Sequence, residues 1–332
     1  MAKARQAAQR SHSPYSQFPV GSALLTWSGK NYLGHNTETA TGESQNCGEQ
    51  SAISGAITNG EHFQRKDFIQ MLAVACIKAP SPYFKLLETA EGRTRAAEIQ
   101  DNLLKQLSQS SQANFASKAT DWLSNQFVVA AIREGSPCGA CRQIINDFSG
   151  PDTIILIDDM QDGVLFRMSD LLPWGFKFGP KSVLPEEDVV DAKAIEASVE
   201  SGHITLDDAA KLSAGNSYHF SDKYLKSGTA IECLDGRVYI GSSIMNSCTG
   251  LNIKSMRAAI SRAIVDGAIE RNGPEFIKNM AVSLLQGQKA ASPLQGLDID
   301  LIHEFGDKAS GQIIILKANE RILIPMSIGL NF

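Results

Sequence analysis

The feature that most restricts what this 332-residue chain can fold into is that it repeats itself. Ser28-Gly29-Lys30-Asn31-Tyr32-Leu33-Gly34 lines up with Asp235-Gly236-Arg237-Val238-Tyr239-Ile240-Gly241. Without a gap, Cys47-Gly48-Glu49-Gln50-Ser51-Ala52-Ile53 then falls on Lys254-Ser255-Met256-Arg257-Ala258-Ala259-Ile260. Further along, Ser136-Pro137-Cys138-Gly139-Ala140-Cys141 falls on Ser292-Pro293-Leu294-Gln295-Gly296-Leu297, and Phe148 on Phe305. A chain of this kind builds one unit twice. Leu24–Trp27 and Asn31–Gly34, two short apolar runs around a glycine turn, predict a hairpin. Ala/Ile content without turn residues over Ser51–Ile57 predicts a helix beginning near Cys47. Met71–Ile77 and Thr153–Ile157 are continuous apolar runs suited to strands buried on both faces. Pro137 fits the first turn of a helix over Cys138–Phe148. The order β-β-α-β-α-β implies an α/β fold, a mixed sheet covered by helices.

The two copies differ in chemistry. In the first, Cys47-Gly48-Glu49 and Pro137-Cys138-Gly139-Ala140-Cys141-Arg142-Gln143 supply three thiolates and a carboxylate. Three thiolates leave one corner of a tetrahedral zinc free, which suits a catalytic site rather than a closed structural one. A carboxylate two residues from a ligand is well placed to move protons at that corner. In the second copy Cys47 becomes Lys254, Glu49 becomes Met256, and Cys138 and Cys141 become Leu294 and Leu297. Lysine and leucine do not hold zinc, and methionine does not shuttle protons. The second half therefore reads as a degenerate copy that keeps the fold without the metal.

Bulk properties exclude several classes. The chain is 43% hydrophobic and 20% charged, an ordinary globular composition long enough for two cores. Its net charge of −5 argues against a nucleic-acid partner, which favours a basic face. No apolar run approaches the roughly 20 residues of a membrane span, and no apolar stretch follows the basic Met1–Gln6 to make a signal peptide. Six cysteines are too sparse for a disulfide scaffold. The expectation is a cytoplasmic enzyme. Of the cysteines outside the two motifs, Cys76 reads as a small buried hydrophobe, and Cys233 and Cys248 as structural. The six histidines lack ligand spacing, although His35 lies beside Asn36 and could reach a substrate. Glu186, Glu187, Asp188, Asp191, Glu196, Glu200, Asp207 and Asp208 mark an acidic stretch, read as a solvated linker with some helix over 181–205. It divides a first domain, 1–180, from a second, 206–332. Within the first, about 78–133 reads as a helical insertion: either a hairpin packed on the domain or a lid over the site. Phe127–Ala131 competes with Met71–Ile77 for one strand position.

Taken together, these pieces resemble the cytidine deaminases. The resemblance rests on Pro14-Tyr15-Ser16-Gln17-Phe18-Pro19-Val20-Gly21, Asn36-Thr37-Glu38, Cys47-Gly48-Glu49, Pro137–Gln143, and Leu171-Leu172-Pro173 with Phe176, all in order. It covers roughly residues 10–77 and 134–180, with a weaker echo over 206–332. It implies two three-layer α/β/α domains, each with a mixed central sheet, the second degenerate, as in the dimeric branch of that family. It implies one Zn²⁺ per chain on Cys47, Cys138 and Cys141, with Glu49 as proton shuttle. It also implies that Asn36 and Glu38 bind ribose hydroxyls, Phe18 packs on the pyrimidine, and the backbone at Gly48 and Ser136 reads the base. The implied reaction is hydrolytic deamination of cytidine and deoxycytidine in pyrimidine salvage, by a homodimer acting on a small nucleoside.

Two positions depart from the family pattern. The two-domain branch usually has histidine as first ligand, where this chain has Cys47. The three-cysteine enzymes usually place arginine after the Cys-x-Glu, where this chain has Gln50. Arg142 is then the candidate to offset part of the thiolate charge. Two other readings stay open from the residues: a deaminase of a modified or antibiotic cytosine nucleoside or of cytosine in nucleic acid, and a non-catalytic zinc knuckle closed by Glu49.

Overall fold

The computed structural model describes residues 1–42, 44–77, 135–158, 163–177, 190–219, 226–285, 299–317 and 320–327. The expected insertion over 78–133, the competing Phe127–Ala131 strand and the Ser292–Leu297 segment lie outside the described residues. The described helices are α1 (Ala2–Ala8), α2 (Gly48–Thr58), α3 (Glu61–Gln64), α4 (Gly139–Asp147), α5 (Met168–Leu171), α6 (Ala192–Glu200), α7 (Leu206–Gly215), α8 (Ser255–Val265), α9 (Ala268–Asn272) and α10 (Ile299–Phe305). The strands are β1 (Val20–Thr26), β2 (Asn31–His35), β3 (Ile69–Cys76), β4 (Ser149–Ile157) and β5 (Val164–Arg167), followed by β6 (Lys226–Cys233), β7 (Val238–Ser242), β8 (Ile277–Leu285), β9 (Gln312–Lys317) and β10 (Glu320–Pro325).

The strands form two five-stranded mixed sheets with one topology. The first runs β2-β1-β3-β4-β5 and the second β7-β6-β8-β9-β10. In each, only the third and fourth strands pair in parallel. The repeat is thus structural, and its register is kept: Gly21 pairs with His35 as Gly228 pairs with Ser242.

Glycines set the layers. A Cβ on Gly21 would lie 2.1 Å from the Ala4 carbonyl oxygen, so α1 sits directly on that face of β1. Gly34 pairs with Ser22, the next residue of β1, and so faces the opposite side. There a Cβ would lie 2.1 Å from the Gly48 carbonyl oxygen, so α2 rests on β2. The second half repeats both contacts, Gly228 against α7 and Gly241 against α8. Alternation carries the layering into β3: Leu72 and Val74 join the core under α2 and α4, while Ala73 and Ala75 pack with Ala4 of α1.

The halves are joined through buried contacts. Asn216 Nδ2 donates to the Thr58 carbonyl at 2.8 Å, and Asn46 Nδ2 to Ser261 Oγ at 3.0 Å. Tyr218, Ile244 and Ile253 of the second half belong to the first half's core cluster.

Two expectations change. The stretch read as a solvated linker with some helix does hold a helix, α6, but a packed one: its Ala192 and Ile195 are buried in a core cluster with Ala209, Ala210 and Ile240. Three of its acids have structural partners: Asp191 caps α6, Glu196 pairs with Arg262, and Glu200 accepts the Val238 N–H. Sparse large apolar residues suggested solvation, but alanines suffice where a helix lies close on a sheet. Pro137 precedes its helix instead of opening it, because α4 begins at Gly139 with Cys138 as N-cap. Among the described residues, no helix is long and apolar enough to cross a membrane.

Candidate functional site

Two helix N-termini meet at the three cysteines. Cys47 is the N-cap of α2 in extended conformation, and Cys138 is the N-cap of α4. Cys141 lies one turn into α4 and is fully buried. The three sulfurs fall within 4.8 Å of one another. Tetrahedral zinc–thiolate bonds of about 2.3 Å place sulfurs about 3.8 Å apart, so the trio needs to close by at most about an ångström to share one ion. The donor set fits zinc. Helix N-termini carry partial positive charge, which favours thiolate at Cys47 and Cys138.

The sulfurs interact strongly with one another. Hydrogen bonds from the Cys141 and Cys47 thiols, with backbone N–H groups of Cys141 and Ala140, depress Cys138 far below the ordinary thiol range. Cys47 is raised, chiefly because Cys138 takes its hydrogen bond. Cys141 is raised for the same reason, with burial adding to it. Three thiols alone thus carry charge mainly at Cys138; a divalent cation is what lets all three ionise.

Glu49 lies in the first turn of α2 and is 3% exposed. Burial foremost, with the charge at Cys138, pushes its carboxyl up to about 7, while a hydrogen bond from the Cys141 side chain partly opposes the rise. A carboxyl beside the sulfurs with this affinity can both take and give a proton near neutral pH.

Gln50 and Arg142 do not neutralise sulfur by direct contact. Gln50 Oε1 accepts the Cys47 N–H at 3.1 Å and completes a capping box. Arg142, expected to offset thiolate charge, donates instead to the Pro137 carbonyl at 2.8 Å, the Ser136 hydroxyl at 2.7 Å and the Leu171 carbonyl at 3.2 Å. Its guanidinium pins the loop that delivers Cys138. The signal was present in the sequence, since Arg142 lies one turn past Cys138 and faces back along the helix.

The Asn36–Glu38 segment joins the residue before Cys47, since the Thr37 N–H donates to the Asn46 carbonyl at 2.8 Å. Asn36 Oδ1 accepts the Val20 N–H at 2.8 Å and the Ser11 hydroxyl at 2.5 Å, and its Nδ2 donates to the Phe18 carbonyl at 2.9 Å. Glu38 is buried, and its carboxylate accepts the Tyr15 and Ser16 N–H groups at 3.1 and 2.9 Å and the Ser16 hydroxyl. Phe18 is half-buried at the end of that loop. Gly48 is buried at the start of α2, and Ser136 is half-buried. His35 is fully buried, and its Nδ1 lies 2.9 Å from the Asn36 carbonyl. Cys76 is half-buried, and Cys248, expected to be structural, is exposed.

In the second half the corresponding helix start, α8, carries Lys254 as N-cap and a fully buried Met256 in the core. The position that matches Glu49 is apolar packing.

Residues 1–78 match the family described as the cytidine and deoxycytidylate deaminase zinc-binding region. A cytidine deaminase of Citrobacter koseri is 28% identical over 201 residues, which are 59% of this chain and 66% of that protein's length. Over these stretches the chain is similar to cytidine deaminases. Solved structures with similarity to it include the cytidine deaminase from Burkholderia pseudomallei, 24% identical, covering 53% of this chain and 94% of that one with a TM-score of 0.34. Another is the cytidine deaminase from Mycobacterium leprae, 22% identical, covering 52% and 92% with a TM-score of 0.30.

Proposed function

We propose that this chain is a zinc-dependent hydrolase that converts cytidine and deoxycytidine to uridine and deoxyuridine with release of ammonia. The observation that supports it is the convergence of three cysteine sulfurs within 4.8 Å beside a buried carboxyl. Cys47, Cys138 and Cys141 would hold the zinc, which when bound supplies the Lewis acidity that makes a water acidic near neutral pH.

Glu49 takes a proton from the attacking water and delivers it to N3 of the pyrimidine. Oxygen bonds to C4, Glu49 takes the remaining proton of that oxygen and gives it to the exocyclic amine, and the C4–N bond breaks as C4=O forms, releasing ammonia and the uracil product. The handling of two protons by one group calls for a carboxyl near neutral affinity, as burial makes Glu49. Gly48 and Ser136 present backbone groups to the base edge, and Phe18 packs on its face.

The sugar is matched by what Asn36 and Glu38 have left. Among the described residues, Asn36 Oδ1 has both acceptor positions filled and Nδ2 has one N–H to spare. Glu38 has accepted three hydrogen bonds and retains one acceptor position, on Oε1. One donor beside one acceptor complements a hydroxyl, and both substrates carry a 3′-hydroxyl.

The same proposal divides the chain into a catalytic domain, 1–180, a connecting segment, 181–205, and a metal-free domain, 206–332. It makes the protein a cytoplasmic homodimer in pyrimidine salvage. The test is incubation of the purified chain with cytidine, deoxycytidine and single-stranded DNA, following ultraviolet absorbance and ammonia, with light scattering for the oligomeric state. Turnover of both free nucleosides is expected. Turnover of DNA alone, or of no substrate in a zinc-loaded chain, would overturn the reading.

A further inference from the structure

The two halves exchange contacts across their interface in matching fashion, and one of those exchanges reaches the loop beside the candidate site. At the end of α4, the Asp147 carboxylate accepts the Ser247 N–H at 2.7 Å, and Phe148 meets Tyr218 edge-on at 4.7 Å. At the end of α10, the matching residues are Glu304 and Phe305. Phe305 meets the His12 ring edge-on at 4.9 Å. Glu304 lies 2.9 Å from His12 Nε2 and accepts the Tyr15 hydroxyl at 3.0 Å. The same helix holds a second loop, since Asp300 accepts the Thr41 hydroxyl.

Loop 12–18 is the segment that engages Glu38. Its Tyr15 and Ser16 N–H groups donate to that carboxylate, and its Phe18 carbonyl receives the Asn36 amide. Gln17 sits at φ 54°, a left-handed conformation that a non-glycine residue adopts at a cost. The loop's shape therefore has to be held from outside. Glu304 is the outside contact with the strongest chemistry: a carboxylate 18% exposed, facing a histidine 15% exposed and a phenol. Hydrogen bonds to a charged acceptor in such a partly dry setting outweigh neutral ones.

We propose that Glu304 is a positioning residue: supplied by the metal-free half, it fixes loop 12–18 and so sets Glu38 and Phe18 for nucleoside binding. This assignment rests on the deaminase reading above. It gives the second half a task that survives the loss of its own chemistry. Glu304 is not placed in contact with substrate. It acts through Tyr15.

The experiment uses the full zinc-loaded chain as wild type, Glu304→Gln, Tyr15→Phe and the double variant. The first readout is kcat and KM for cytidine; the second is amide hydrogen exchange over residues 13–18. Tyr15 is about half exposed, so removing its hydroxyl alone leaves the fold intact. Each single variant is expected to raise KM about fivefold with kcat within about twofold, and the double variant to be no worse than the weaker single. Exchange over 13–18 is expected to quicken in Glu304→Gln. A double variant near the product of the two singles, or quickened exchange with unchanged KM, would overturn the proposal. Equal losses in kcat and in the amount of folded protein, with KM unchanged, would mark Glu304 as merely structural and also overturn it. A wild-type chain that turns over no cytidine sinks the deaminase reading instead, and the exchange readout then decides the tether by itself.

Discussion

Replacing Gly34 with alanine, and separately its counterpart Gly241, separates the fold's requirements from the site's. At both positions the added Cβ meets helix backbone, 2.1 Å from the Gly48 oxygen and 2.3 Å from the Ala52 nitrogen at Gly34, and 2.3 Å from the Ser255 oxygen and the Ala259 nitrogen at Gly241. Ordinary contact begins near 3.4 Å, so α2 has to retreat from β2 by about 3.4 − 2.1 = 1.3 Å, and α8 from β7 by about 1.1 Å. Neither neighbour is a flexible side-chain end. Overpacking costs typically 1–3 kcal/mol, and a backbone clash on this scale belongs at about 3 kcal/mol. For units of this size each kcal/mol lowers Tm by roughly 2–4 °C, so both variants are expected to melt about 6–12 °C lower. The consequences then diverge. At Gly34 the displaced helix starts with Cys47, and a shift of an ångström far exceeds the roughly 0.2 Å tolerance of a metal–ligand distance. Gly241 lies under a helix that starts with Lys254. Differential scanning calorimetry and competition titration with a zinc chelator are the assays. Gly34→Ala is expected to lose both stability and zinc affinity, and Gly241→Ala stability alone. Equal zinc affinity in the two variants, at matched losses of Tm, would refute the reasoning.

Other outcomes follow from the same geometry. Glu49→Gln is expected to keep its zinc, measured by mass spectrometry of the metal, while cytidine turnover falls about 10²–10⁴-fold; near-normal turnover would remove Glu49 from the reaction. Metal analysis of the full chain is expected to return one zinc, released by chelation together with activity, and two zincs would contradict a metal-free second half. Acid sensitivity is expected from His62, whose ring is fully buried with neither nitrogen hydrogen-bonded among the described residues. Burial first, and Lys226 second, push it down to about 3 from an ordinary 6.5. The unfolded chain therefore takes up a proton near pH 6.5 that the folded chain refuses until about pH 3. Its stabilisation is complete above pH 6.5 and is lost as pH falls through that window, by up to about 1.4 kcal/mol per pH unit. Urea denaturation at pH 7, 6 and 5 checks this, and His62→Phe is expected to lower the slope by about one proton; an unaltered slope refutes it.

Local pattern made much of this molecule legible. The hairpin, the start of α2 and strands β3 and β4 each carry their own signal in turn glycines, alanine and isoleucine content, or continuous apolar runs. The candidate ligand cysteines were legible because chemistry restricts which residues hold zinc, and both motifs sit at helix starts where N-caps belong. Helix α1 was not read, because seven residues rich in alanine show no apolar stripe; the open face of Gly21 is what buries them. Strand β5 is short, with its residues alternating between half-buried and exposed, as suits a sheet edge. Helix α6 looked like solvated linker because its acids dominate the composition, and only their partners on other elements reveal it as packed.

The sequence alone determined that one unit is written twice and that three cysteines with a nearby carboxyl stand only in the first copy's motifs, because residue identity fixes what an atom can ligate or donate. Tertiary structure decided which groups surround that chemistry. Gln50 caps a helix, Arg142 grips the Cys138 loop, and Glu304 reaches Tyr15 across 289 residues of chain. Contacts of that separation are set by how two sheets and their helices pack, and a side chain's neighbour across such an interface leaves no local mark in the order of residues.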